Sequence, residues 1–261
     1  MPRKRVGAVG WIGEGLEAVV GFLVDERCHA CGSPVRTSDA ATDHTPACHP
    51  LTASLRAGVG PIHVRTRLLC DRCAVRVRRW REPLVLPAAA EAAHALIVYP
   101  AFTTDDTLLR LIHLMKFGRR ERLAPWLARA ISNGLPRRAL DELPGPAVLV
   151  PVPMDRRSRR RRGFNQAERI AVELARAWGV PVASRALAKT RHTLAQSSLG
   201  RTDRARNLGR AIVPGREPVA GRSVVIVDDL VTTGATVAAC AAVLRLAGAA
   251  SVRVVCVGYR P

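Results

Sequence analysis

The chain has 261 residues, 48% of them hydrophobic and 24% charged, a balance that supports a folded core and excludes a disordered chain. Its length allows one main domain with a smaller module beside it. Against 21 acids stand 41 lysines and arginines, and the resulting charge of +20 favours anionic partners such as phosphates or nucleic acid. Only Lys4, Lys116 and Lys189 are lysines, so 38 of these residues are arginine, a usage that a GC-rich genome produces as readily as a ligand does.

The first 27 residues carry a basic start and then an apolar stretch, as a secretion signal does, but Glu14 and Glu17 interrupt it and no small-residue cleavage site follows. No apolar run reaches the roughly 18 residues of a membrane span. A cytoplasmic location is expected. Leu16, Val19, Val20 and Leu23 are spaced for one face of a short helix. Gly13, Gly15 and Ala18 match a dinucleotide-binding pattern by chance, since no second strand ending in an acid follows at the required distance.

Residues 28–90 read as a metal module with a long inserted loop. Cys28 with Cys31 and Cys70 with Cys73 form two CxxC pairs, the spacing that offers four thiolates to a tetrahedral structural zinc ion; reduced or redox-active thiols are the alternative. The 38 residues between the pairs are rich in Ser, Thr, Pro, Gly and His and read as a loop. Within it, His44, Cys48 and His49 leave open a substitute ligand or a second, weaker site, and Cys48 reads as a free surface cysteine.

From residue 91 to 261 the pattern becomes that of one α/β domain. "ALIVY" predicts a strand, and "DDTLLRLIHLMKF" a helix with Leu108, Leu111, Ile112 and Met115 on a core stripe. "AVLVPVP" predicts a buried strand, "MDRRSRRRRGF" a basic loop, and "NQAERIAVELARAW" a helix. Asn165 and Glu168 form a capping-box-like start to that helix, and Ile170 and Leu174 give its apolar face. "KTRHTLAQSSLGRTDRARNLGR" lacks periodicity and reads as a mobile loop. "SVVIV" predicts a strand, "DDLVTTGAT" a loop, "VAACAAVLRLA" a helix ending at Gly248, and "SVRVVCVGY" a last strand. Cys240 and Cys256 fall at core positions. Alternating strands and helices imply a mostly parallel sheet flanked by helices, with ligands at the carboxyl ends of its strands.

Asp228 and Asp229 fall at such an end, immediately after Val227. Thr232, Thr233, Gly234, Ala235 and Thr236 then turn the chain into a helix whose first N–H groups, with the threonine hydroxyls, can cradle a phosphate. Two acids beside a phosphate cradle repel a bare phosphate, so they address another part of the ligand, and a vicinal diol is what carboxylates accept hydrogen bonds from. Together they point to a sugar phosphate.

The run "VVIVDDLVTTGAT" resembles the phosphoribosyl pyrophosphate (PRPP) motif of type I phosphoribosyltransferases. "LIHLMKF", "VPVPMDRRSRRRRGFNQAE" and "TLAQSSLGRTDRARNLGRAIV" precede it in the order seen in the competence-associated ComF family, and the cysteine pairs come before them. The resemblance covers most of the chain from Cys28 onward. It implies a type I phosphoribosyltransferase fold with a small zinc-ribbon-like N-terminal module, PRPP bound with Mg²⁺, and a part in DNA uptake with single-stranded DNA and DNA-uptake machinery as partners. It further implies that Asp228 and Asp229 hold the ribose hydroxyls and that Thr232 to Thr236 hold the 5-phosphate. Arg162 and Gly163 then lie near the pyrophosphate, and Lys189, Arg191, Arg201 and Arg206 belong to a flexible hood.

No general base for an acceptor is evident. Glu168 reads first as a cap and His192 as a solvated loop residue. An active transferase with a nucleobase or amine acceptor, and a PRPP or nucleotide sensor, remain as alternatives. With aromatics at 4% of the chain, base stacking depends on few residues, Phe164 and Trp80 among them.

Overall fold

The computed structural model describes residues 27–35, 69–74, 76–80, 82–86, 95–118, 120, 123–134, 140, 143–190 and 211–260. The expected N-terminal helix, His44, Cys48, His49, Arg191, His192, Arg201 and Arg206 lie outside them. In chain order the elements are α1 (Asp71–Ala74), β1 (Leu84–Leu86), β2 (Leu96–Thr103), α2 (Asp106–Phe117) and α3 (Leu123–Gly134). There follow β3 (Ala147–Pro151), α4 (Arg156–Arg162), α5 (Gln166–Trp178), β4 (Leu187–Lys189), β5 (Ile212–Pro214), β6 (Ser223–Val231), α6 (Ala235–Leu246) and β7 (Ser251–Tyr259).

The main sheet runs β1-β2-β7-β6-β3. Every pairing in it is parallel except that of the edge strand β1 with β2. Because side chains alternate along a strand, the near-continuous apolar run of β6 feeds both faces. Val225 and Val227 join Leu111, Met115, Leu127 and Ile170 in one core layer, and Val224 and Ile226 join Cys240 and Leu244 in the other. The predicted stripe of Leu108, Leu111, Ile112 and Met115 is buried on the first layer, and Cys240 and Cys256 are fully buried in the second.

The crossovers create a switch point. After β3, α5 carries the chain outward to Val182, which bridges Leu149 in parallel, with the Leu149 N–H donating to the Pro181 carbonyl at 2.9 Å. After β6, α6 carries it the other way, to β7. The strand order therefore diverges between β3 and β6, where open α/β sheets form a crevice at their carboxyl ends.

Three local readings are corrected. "RRSRRRR" forms the helix α4 rather than a loop: Asp155 caps its start by accepting from Ser158 N–H at 2.8 Å, and Gly163, at φ 86°, ends it. Arginine is a good helix former, and four arginines in the last turn complement the helix dipole. Arg162 and Gly163 are thus a helix end and its cap, not a flexible loop. The strand before the threonine loop extends past both acids to Val231, because Leu230 and Val231 still pair with Gly258 and Tyr259 of β7. Ala235 and Thr236 are already helical. Lys189 is the last residue of β4, paired with Ile212, so it is held in a ribbon.

Candidate functional site

A cleft of about 190 Å³ opens between the ends of β3 and β6. Asp228 and Asp229 form part of its wall, with Lys116 from the end of α2, Val152 to Asp155 after β3, Ser158 and Arg162 from α4, Asn165 to Ala167 at the start of α5, and Lys189. Two of the three lysines in an arginine-rich chain line this one cleft. A lysine is a compact titratable point charge, so its use there instead of arginine marks a local chemical demand.

The two acids are neighbours near the end of β6, with their carboxyls close enough to interact. Asp229, only 6% exposed, meets Lys116, whose Nζ lies 2.9 Å from Oδ2. Asp228 accepts the backbone N–H of Asp229 at 2.8 Å. Burial, and then the charge of Asp229, push its carboxyl up to about 8, while the Asp229 N–H and Lys116 pull the other way. Burial and then the charge of Asp228 raise the thiols of Cys240 and Cys256.

The floor opposite is built from α5. Asn165 caps that helix by accepting from Ala167 N–H at 3.2 Å and donates to the Val152 carbonyl at 2.9 Å, tying the helix start to the end of β3. The predicted capping box is half made, because Glu168 turns instead to Arg159, at 3.0 Å. Gln166 is 2% exposed; Arg162 donates to its Oε1 at 3.4 Å, and its Nε2 has no partner. The Nε of Arg162 is buried without a partner as well. Buried donors left unpaired are costly, and both belong to residues that line the cleft.

The threonine loop follows β6, and none of its residues from Thr232 to Thr236 is among those lining the cleft. Thr232 and Thr233 are exposed. Gly234 takes φ 77° beneath the Leu86 side chain, whose Cδ1 a Cβ there would strike. No side chain caps α6; only a long 3.4 Å contact joins Ala235 N–H to Thr233 Oγ1. The first amides of this 12-residue helix therefore face outward with the positive end of its dipole.

The cysteines converge as the spacing requires. The Sγ atoms of Cys28, Cys31, Cys70 and Cys73 all lie within 4.8 Å of one another, and Cys31 and Cys70 are 3.7 Å apart. Tetrahedral ligation at a metal–sulfur distance of 2.3 Å sets sulfurs about 3.8 Å apart, so the cluster fits a four-thiolate metal ion. Gly32, at φ 78°, makes the first knuckle, donating to the Cys28 carbonyl at 2.8 Å. Hydrogen bonds with Ser33 draw the Cys31 thiol down to about 6, while burial pushes Cys73 up. Cys28 and Cys73 share a core layer with Leu108 and Leu111, and Arg110 donates to the Ala30 carbonyl at 3.0 Å, joining the cluster to α2.

Of the residues expected from the sequence, Asp228, Asp229, Arg162 and Lys189 meet in one cleft, while Thr232 to Thr236 and the exposed Gly163 are outside its lining. Lys116, Ser158 and Gln166 were not foreseen there. The rarity of lysine was the available signal for Lys116, and the short N–Q run after the arginines for Gln166. Among the described residues no helix is long and apolar enough to cross a membrane.

A family model described as a phosphoribosyl transferase domain matches residues 160–261. The DNA utilization protein YhgH of Salmonella typhi is 41% identical over 190 residues, 72% of this chain and 77% of that protein. Competence protein F of Haemophilus influenzae is 26% identical over 191 residues, 71% of this chain and 76% of its own length. Among solved structures, the glutamine PRPP amidotransferase of B. subtilis, complexed with ADP and GMP, aligns at a TM-score of 0.33 and 22% identity over 53% of this chain and 26% of that one. With a transferase domain on the strands and helices that carry the two acids, and relatives matched over three quarters of their length, the chain belongs to the competence-associated ComF family of phosphoribosyltransferase-like proteins.

Proposed function

We propose that this chain binds PRPP with Mg²⁺ across the carboxyl end of β6 and, as a cytoplasmic protein, handles single-stranded DNA during DNA uptake. The observation that carries the reading is one segment: two acids at the end of β6, followed by the uncapped start of α6. The outward amides from Ala235 and Thr236, with the hydroxyls of Thr232 and Thr233, receive the 5-phosphate. Asp228 and Asp229 accept hydrogen bonds from the ribose 2- and 3-hydroxyls, and an ionised Asp228 accepts more strongly than a protonated one. The pyrophosphate extends into the cleft toward Arg162, Lys189 and the free Nε2 of Gln166. Mg²⁺, when bound, screens the pyrophosphate charge and makes it a better leaving group. Arg191, Arg201 and Arg206 belong in this reading to a hood over the ligand.

The metal of the cysteine cluster is zinc in this reading, with a structural task, since four thiolates leave no open coordination position. Residues 28–90 then form the metal module, with 1–27 before it and the transferase-like domain over 91–261. The DNA part rests on the relatives' names, which speak of DNA utilization and competence, and on the arginine-rich surface.

A transferase acting on a nucleobase or amine is the second reading, favoured by the unpaired cationic and amide donors where a leaving pyrophosphate gathers charge. Calorimetric titration of the intact protein with PRPP and Mg²⁺ tests the first. Binding heat in the wild type and its loss in Asp228→Asn/Asp229→Asn supports it, and no heat in the wild type overturns it. Acceptor-dependent pyrophosphate release then separates transfer from binding alone.

A further inference from the structure

Neither aromatic expected to stack on bases is placed to do so. Phe164 is 4% exposed inside the core, and Trp80 packs edge-on against Tyr259 with ring centroids 6.1 Å apart. The last residue of α2, Phe117, is instead 49% exposed. Around its ring stand the Arg162 guanidinium at 4.7 Å, that of Arg161 at 6.0 Å, and the His113 ring at 4.7 Å, tilted by 42°. The part of the ring left open, flanked by two guanidinium groups, offers a nucleobase a cationic stacking surface.

Helix α4 continues that platform. Its geometry divides its side chains: Ser158 and Arg162, four apart on one face, line the cleft, while Arg156, Arg157, Arg160 and Arg161 are exposed and outside the lining. No carboxylate of the described residues pairs with any of these four. They lie outside the cleft, where a polyanion can reach them. The helix is about 10 Å long, over which a stacked strand presents about three phosphates.

We infer that Phe117, with His113 and the outer arginines of α4, forms a binding surface for single-stranded DNA, the ring stacking on an unpaired base and the arginines following the phosphates. A duplex hides its base faces, so the platform selects single strands. The inference rests on the DNA-handling part of the proposed function, and it places that function on a surface that meets the cleft at one residue, Arg162.

The test is fluorescence anisotropy of the full chain with labelled oligothymidylate across a salt series, beside a duplex of equal length and anionic phospholipid vesicles. Phe117→Ala is expected to weaken oligothymidylate binding about tenfold with the salt slope unchanged, since stacking carries no counterions. Phe117→Trp is expected to restore it. Exchanging the four outer arginines for glutamine is expected to flatten the slope by roughly 2, at about 0.7 for each of the three or so phosphates the helix spans. Both Phe117 variants are expected to keep the far-ultraviolet circular dichroism and urea midpoint of the wild type, which shows them folded. If the wild type binds no oligothymidylate, the DNA-handling reading falls and this surface with it. If it binds and Phe117→Ala binds equally well, or the duplex binds as tightly as the strand, the inference alone is overturned. Vesicle binding that depends on the arginines, without strand binding that depends on Phe117, overturns it in favour of a membrane surface.

Discussion

Replacing Lys116 with methionine removes the ammonium 2.9 Å from Asp229 Oδ2 and keeps most of the apolar stem. The side chains are 22% and 8% exposed, so water has little room to take the ammonium's place. At an effective dielectric of about 20, two unit charges at this separation attract by roughly 6 kcal/mol. Much of that offsets desolvation, and stranding one charge of a buried pair costs about 3 kcal/mol. Asp228 adds to the cost, because Lys116 is one of the influences that hold its raised carboxyl down. Urea unfolding at pH 7 of wild type, Lys116→Met, Asp229→Asn and the double variant gives the coupling directly. Lys116→Met is expected to lose about 3 kcal/mol and the double variant to recover about 2 of it. A Lys116→Met loss below about 0.5 kcal/mol, or an additive cycle, refutes the reasoning that this pair is what allows two adjacent acids at the end of a buried strand.

Asp228 predicts an unusual pH dependence. Its folded pKa of about 8 lies above the unfolded carboxylate value, so its stabilising contribution is fully present below about pH 4 and is lost as the pH rises toward 8. Between pH 5 and 8, urea unfolding should show the wild type losing on the order of a few kcal/mol relative to Asp228→Asn; a parallel pair of curves contradicts this. A diol that favours the ionised carboxylate draws this proton off, so PRPP heats of the wild type at pH 7 in two buffers of different ionisation enthalpy should differ by the proton release, and identical heats contradict it. Gly234→Ala forces a side chain into a left-handed backbone beneath Leu86, and thermal unfolding should show a cost of about 1–2 kcal/mol together with weakened PRPP binding. Elemental analysis should find one zinc per chain. Chelation should lower the melting temperature of the whole domain, because Cys28 and Cys73 share a core with Leu108 and Leu111; a chelated protein that melts unchanged contradicts that coupling.

The legible parts of the sequence were those where one local pattern suffices. Valines around Ile226 can only be a buried strand, Gly234 after two threonines supplies the turn, and CxxC repeated fixes both knuckles. The arginines of α4 misled because a charge run looks solvated, although the caps that make it a helix, Asp155 and Gly163, stand at its ends. The acids were read as ending β6 because charges seldom sit inside a strand; pairing of Leu230 and Val231 with β7 carries the strand past them. Lys116 was invisible as a site residue because its partner, Asp229, is distant in the sequence, and only the folded sheet brings α2 to the end of β6. Phe117 ends a helix whose apolar stripe is core, and nothing in the spacing says that this one ring stays outside.

The most direct test of the central claim is a crystal structure of the protein with PRPP and Mg²⁺. The account predicts the 5-phosphate on the amides of Thr233 to Thr236, the ribose hydroxyls on Asp228 and Asp229, and the pyrophosphate in the cleft toward Arg162 and Gln166. Ligand elsewhere on the chain, or a phosphate seated against the arginines of α4 with the threonine loop left empty, would contradict it.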